Sequence, residues 1–177
     1  MHIMTVCLGN ICRSPAAEAV LVRRLREAGL DHVTVSSAGT ADYHVGEPPH
    51  EMSSAEGEAR GYEFTTVGAQ FAVEDFDAAD LVLVMDGANE RDVRALARST
   101  EDGTKVVRLG AFASDVAEHG VRDVPDPYGL PESAFVSMYD QIEDAVDGLV
   151  RALRDGTVQQ VVEAQEAGAA GSGHGTG

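Results

Sequence analysis

The chain opens on a short apolar run at residues 3–7 that stops abruptly at Leu8-Gly9-Asn10. From Pro15 the small and apolar positions recur as Ala16, Ala19, Val20, Leu25 and Ala28, which is the spacing of one helix face. A strand therefore runs into a helix through a tight loop. Ser14 reads as the N-cap of that helix, Pro15 suits its first turn, and Gly29 ends it. Residues 33–37 read as a second strand, 81–85 (Leu-Val-Leu-Val-Met) as a third that is apolar on both faces, and 106–109 as a fourth. Helical patterns at 52–60, 88–98 and 133–154 lie between and after these strands. The alternation predicts an α/β protein: a doubly wound, four-stranded parallel sheet with helices on both faces. Ligands of such sheets sit beyond the carboxyl ends of the strands, so the loop after the first strand, residues 7–14, is the expected binding location.

At 177 residues one core suffices, and no repeat or linker divides the chain. From about Glu163 the sequence turns to Ala, Gly, Ser and Thr without periodicity. The expectation is one domain over 1–158 and a structureless tail over 163–177.

Composition narrows the function classes. No apolar run approaches the roughly 18 residues of a membrane span, and no basic segment precedes the first strand as in a secretory signal. A cytoplasmic location without membrane association is expected. Thirteen basic residues against thirty acidic ones give a formal net charge of −17, and the only lysine is Lys105. A surface of that sign does not bind nucleic acid, which needs clustered cations. The two cysteines, Cys7 and Cys12, are too few for a zinc site, which wants about four ligands. A structural disulfide does not suit the cytoplasm. Thiol chemistry or plain burial remains.

The segment Cys7-Leu8-Gly9-Asn10-Ile11-Cys12-Arg13-Ser14-Pro15 puts a thiol at a strand end, an arginine six residues on, and a helix N-terminus directly after. Each feature favours an anion. Successive backbone N–H groups of such a loop can turn inward as a nest, and a helix adds about half a positive charge at its start. Gly9 and Asn10 tolerate left-handed backbone. Arg13 carries a planar fork that can take two phosphate oxygens. The same field favours the thiolate of Cys7, the nucleophilic form, and the Ser14 hydroxyl can donate to it. Phosphate transfer to sulfur also needs a proton for the departing oxygen. Asp126, stiffened between two prolines in Asp123-Val124-Pro125-Asp126-Pro127-Tyr128-Gly129, is the candidate acid.

With these residues in view, the chain resembles the low-molecular-weight protein tyrosine phosphatases over about residues 3–154. Four blocks match in order: Val6 to Ala19; Ser37-Ala38-Gly39-Thr40 with Tyr43-His44-Val45-Gly46; Phe76 to Asp86 with Asn89; and Asp126-Pro127-Tyr128. The resemblance implies a two-step hydrolysis of phosphotyrosine in which Cys7 attacks phosphorus, Arg13 and the amides of Leu8, Gly9, Asn10, Ile11, Cys12 and Ser14 hold the phosphoryl oxygens, and Asp126 is acid and then base. Tyr43 and Tyr128 correspond to aromatic walls for the substrate ring. No cofactor or metal is implied. Phosphotyrosine proteins, and a bacterial tyrosine kinase that makes them, are the implied partners, with the chain a monomer or weak dimer. The resemblance also implies a reversible Cys7–Cys12 disulfide under peroxide.

The chain departs from the family pattern at several points. Gly129 follows Tyr128 where a second tyrosine is frequent, His50 and Met52 stand where Asp and Arg are usual, and Ala69 where an arginine is frequent. His44, His50 and His119 are read as structural or surface residues. Two other readings share the fold. An arsenate reductase would pass oxidised sulfur along further cysteines, of which there are none after Cys12. A phosphate-binding module without chemistry would have lost the nucleophile or the acid, and both are present.

Overall fold

The computed structural model describes residues 1–171, the last three by their backbone. Four strands, β1 (His2–Cys7), β2 (Thr34–Gly39), β3 (Leu81–Val84) and β4 (Val106–Arg108), form one sheet in the order β2-β1-β3-β4, every pair parallel. The helices are α1 (Arg13–Glu27), α2 (Glu51–Ala59), α3 (Asp75–Ala78), α4 (Gly87–Ala95), α5 (Thr100–Thr104), α6 (Val116–His119), α7 (Glu132–Asp155) and α8 (Val158–Gly171), with a 3₁₀ turn at Leu109–Phe112. The α/β sheet architecture expected from the alternating pattern is present. No helix of the described residues is long and apolar enough to cross a membrane.

Side chains alternate across a strand, and here each face is buried. Ile3 and Cys7 of β1, Leu81 and Leu83 of β3 and Val107 of β4 join the core beneath α1 and α7, around Phe135 and Tyr139. Met4, Val6, Val82, Val84 and Val106 point the other way, into a second core that contains Phe76 of α3 and Val93 of α4. Burying a side chain such as Phe76 or Phe135 stabilises the fold by roughly 1.5–3 kcal/mol. Two-sided burial explains why the central strand reads Leu-Val-Leu-Val rather than alternating with polar residues.

Two expectations need correction. Ser14 is not the N-cap of α1: that position is Cys12, and Ser14 lies fully buried inside the first turn. Gly29, with φ +70°, does follow the last residues of the helix. The second correction is α8, which occupies most of the stretch read as a structureless tail. Val158, Val161, Val162 and Gln165 recur at helical spacing and pack on the core, with Val162 and Gln165 buried. Gln165 Oε1 accepts the Arg108 N–H at 2.9 Å, and its Nε2 donates to Glu90 Oε1 at 3.1 Å. The helix offers so few apolar residues among its Ala, Gly, Glu and Gln that composition masks it. Folded structure thus continues past residue 158, and the rest of the predicted tail, 172–177, lies outside the described residues.

Candidate active site

β1 delivers Cys7 to the carboxyl edge of the sheet, and α1 begins six residues later. Between them the loop carbonyls are held from outside. Cys7 O accepts Thr40 N–H at 2.8 Å, Leu8 O accepts Ala41 N–H at 2.9 Å, Ile11 O accepts His50 N–H at 2.7 Å, and Cys12 O accepts the Ser53 hydroxyl at 3.1 Å. In a planar trans peptide the C=O and the following N–H point opposite ways. Carbonyls turned outward therefore turn the N–H groups of Leu8, Gly9, Cys12 and Arg13 inward. Among the described residues, the protein supplies no acceptor to the amides of Gly9, Asn10, Ile11 and Cys12. The result is a nest of donors at a helix N-terminus.

Asn10 makes the turn possible. Its φ of +55° is the one left-handed non-glycine backbone among the described residues; Gly9, the other residue expected to turn left-handed, does not have positive φ. Asn10 Nδ2 donates to Ser14 Oγ at 2.8 Å and to Ser37 Oγ at 2.9 Å, while its Oδ1 accepts Ala69 N–H at 3.0 Å. Ser37 in turn donates to Glu18 at 2.6 Å. Gly39 leaves room beside this loop: a Cβ there would sit 2.7 Å from Leu8 O and 3.1 Å from Asn10 N.

The chemistry-bearing groups converge on one cavity of about 340 Å³ lined by residues that include Cys7, Cys12, Arg13, Asp126, Tyr43 and Tyr128. Ser14 Oγ lies 3.1 Å from Cys7 Sγ and within reach of Ala38 O at 3.2 Å. Arg13, almost wholly buried, donates from Nη1 to Asp86 Oδ2 at 2.5 Å and to Val124 O at 3.2 Å, and from Nη2 to Asp126 Oδ2 at 3.4 Å. Five N–H donors meet three protein acceptors, so part of the fork stays available to an oxyanion. Asp126 Oδ1 accepts the Tyr128 N–H at 3.2 Å, a local turn that fixes the carboxylate. Both cysteines are free thiols. Burial, and the negative charge of Cys7 and Asp126, push the Cys12 thiol up to about 12. A larger hollow of about 670 Å³ lies between α6 and α8 but is lined by no cysteine, histidine or carboxylate. No cluster of three metal-ligating side chains occurs among the described residues.

Residues 2–161 match the family model described as low molecular weight phosphotyrosine protein phosphatase. The chain belongs to this family. A low molecular weight protein-tyrosine-phosphatase of Streptomyces coelicolor is 40% identical over 151 residues, covering 85% of this chain and 92% of that one. Low molecular weight protein-tyrosine phosphatase A of Mycobacterium tuberculosis is 38% identical over 150 residues, 84% of this chain and 89% of that protein. Among solved structures, a protein tyrosine phosphatase of Entamoeba histolytica superposes with a TM-score of 0.83 at 31% identity, covering 89% of this chain and 99% of that one.

Within this low molecular weight phosphatase two residues were missed as part of the site. Asp86, the N-cap of α4 through Asn89 N–H at 2.7 Å, also grips Arg13. Burial pushes its carboxyl up, but the Asn89 N–H and the Arg13 guanidinium outweigh that and hold it below the usual range. An acid directly after a buried strand was the available signal. His44 lines the cavity beside Gly9, its Nδ1 2.6 Å from Glu47. His50, though outside the cavity, stacks on Phe135 at 5.4 Å and meets Tyr128 edge-on at 5.7 Å. It thereby braces one aromatic wall, which sequence adjacency does not reveal.

Proposed function

We propose that the chain hydrolyses phosphotyrosine through a cysteinyl-phosphate intermediate. The observation that supports it is the single cavity in which the Cys7 sulfur, an inward-turned row of loop amides, the free part of the Arg13 fork and the Asp126 carboxyl face one another. The Cys7 thiolate attacks phosphorus; an S–P bond forms as the P–O bond to the tyrosyl oxygen breaks, and Asp126 gives that oxygen a proton. Water then attacks phosphorus and transfers its proton to Asp126, the S–P bond breaks, and inorganic phosphate leaves. The loop amides and Arg13 stabilise the equatorial oxygens in both steps, where each such donor contributes about 10²–10³ in rate. The Ser14 hydroxyl, held by Asn10, steadies the sulfur as it departs. Tyr43 and Tyr128, both exposed at the mouth, flank the substrate ring.

The substrates are phosphotyrosine proteins, made by a bacterial tyrosine kinase, and two buried free thiols suit a reducing cytoplasm. Hydrolysis of p-nitrophenyl phosphate and free phosphotyrosine in EDTA at pH 5–7, by wild type and Cys7→Ser, tests the reading. Turnover abolished by the substitution is expected; a fully reduced wild-type protein that binds phosphate without turnover would instead establish the binding-module reading.

A further inference from the structure

The mouth of the cavity lies among three segments: the loop after β1, the loop between β2 and α2 together with the first turn of α2, and residues 123–132, the Asp126 loop with the first residue of α7. Of the ten exposed large apolar side chains among the described residues, six belong to them: Leu8, Tyr43, Val45, Met52, Tyr128 and Leu130. Tyr43 and Tyr128 have the substrate ring to hold. Leu8, Val45, Met52 and Leu130 do not, and clustering of this kind marks a contact surface rather than the scattered exposure ordinary for single residues. The charge of the same segments has one sign. Asp42, Glu47, Glu51 and Glu132 are exposed there, whereas the chain carries no Lys or Arg between Glu27 and Arg60 or between Arg122 and Arg151. Arg13, the cation of the first loop, is buried in the pocket floor, which leaves the imidazoles of His44 and His50 as the other basic groups. A site that must draw in a phosphate dianion thus has exposed carboxylates, and no exposed Lys or Arg, in the segments that flank it.

We propose that this rim selects phosphotyrosine flanked by basic and apolar residues. The inference rests on the phosphatase reading above and adds the substrate's surroundings to it. Lys or Arg beside the phosphotyrosine offsets the repulsion between phosphate and the acidic collar and pairs with Glu47, Glu51 or Glu132. Apolar neighbours cover Leu8, Val45, Met52 and Leu130. An acidic flank adds like charge to like charge. Met52 offers such a flank no cation.

The test compares kcat/KM for two phosphotyrosine peptides of equal length, one with Arg and Leu flanks and one with Asp and Leu flanks, with free phosphotyrosine alongside. The basic peptide is expected to lead by about tenfold at low ionic strength, and the lead to collapse toward unity near 1 M salt, where the screening length is about 3 Å. The double variant Glu51→Gln, Met52→Arg, read as the ratio of the two peptides within that variant, is expected to lose most of the lead. Equal rates for both peptides, or a lead unmoved by salt and by the variant, overturn the rim. Failure to hydrolyse free phosphotyrosine overturns the phosphatase reading itself, and the two failures are separable because free phosphotyrosine has no flanks.

Discussion

Asp86 Oδ2 lies 2.5 Å from Nη1 of the buried Arg13, while Asp86 Oδ1 caps α4 through the Asn89 N–H. One carboxylate thus fixes the cavity-lining arginine and starts the neighbouring helix. Replacing it by alanine leaves a buried guanidinium short of its charge partner and a helix without its cap. The expected cost is about 3–4 kcal/mol, read by urea denaturation at pH 7. An accompanying fall in phosphatase kcat of tenfold or more is expected from the loosened arginine.

The same carboxyl sets a pH dependence. Its folded-state pKa is held below the unfolded one, so its contribution is complete above the ordinary carboxylate range, near pH 4, and is lost as pH falls through the lower folded value. The stability gap between wild type and Asp86→Asn should therefore be constant from pH 7 to 5 and shrink below about pH 4. A gap that widens on acidification contradicts this assignment.

Cys12 is kept protonated by burial and by its acidic neighbours, with its thiol pushed up to about 12. At pH 7 a limiting amount of iodoacetate should carboxymethylate Cys7 and leave Cys12 intact, and inorganic phosphate should slow the reaction. Peptide mapping of the alkylated protein reads the site directly. Preferential labelling of Cys12 would exchange the roles proposed for the two thiols.

Gly39 to Ala tests the fit of the loop. The added Cβ would approach Leu8 O to 2.7 Å, so strand or loop must move. A loss of about 1–3 kcal/mol in stability is expected from the overpacking, with a larger proportional loss of kcat because the shifted atoms belong to the loop proposed to hold phosphate. Unchanged kinetics would show that the loop tolerates displacement.

Gln165 to Ala removes the acceptor for the Arg108 N–H and a donor to Glu90. A destabilisation of about 1–3 kcal/mol is expected, visible as a lower Tm by several degrees, with catalysis at saturating substrate nearly unchanged.

The parts of the molecule legible in the sequence were those written in local patterns. The strand into loop into helix at 3–28, the apolar Leu81–Val84 strand and the Pro-flanked Asp126 all announce themselves within a few residues. What stayed hidden depends on contacts across long separations. Asp86 meets Arg13 from 73 residues away, and His50 supports Tyr128 by stacking, a geometry that no spacing rule encodes. Ser14 reads as a cap because of its residue type, but its hydroxyl faces Cys7 from within the helix. The last helix is hidden because its packed stripe is three valines, two of them only partly buried, and a glutamine among residues common in linkers.

That last helix alters where the protein can be cut. The family match ends at residue 161, one residue before Val162 enters the core and four before Gln165 closes the hydrogen bonds of β4 and α4. A fragment trimmed to the recognisable family boundary would end within the first turn of α8 and expose the surface that the helix covers. The segment matched by the family model is shorter than the packed unit, and a truncated chain should keep α8 through Gly171.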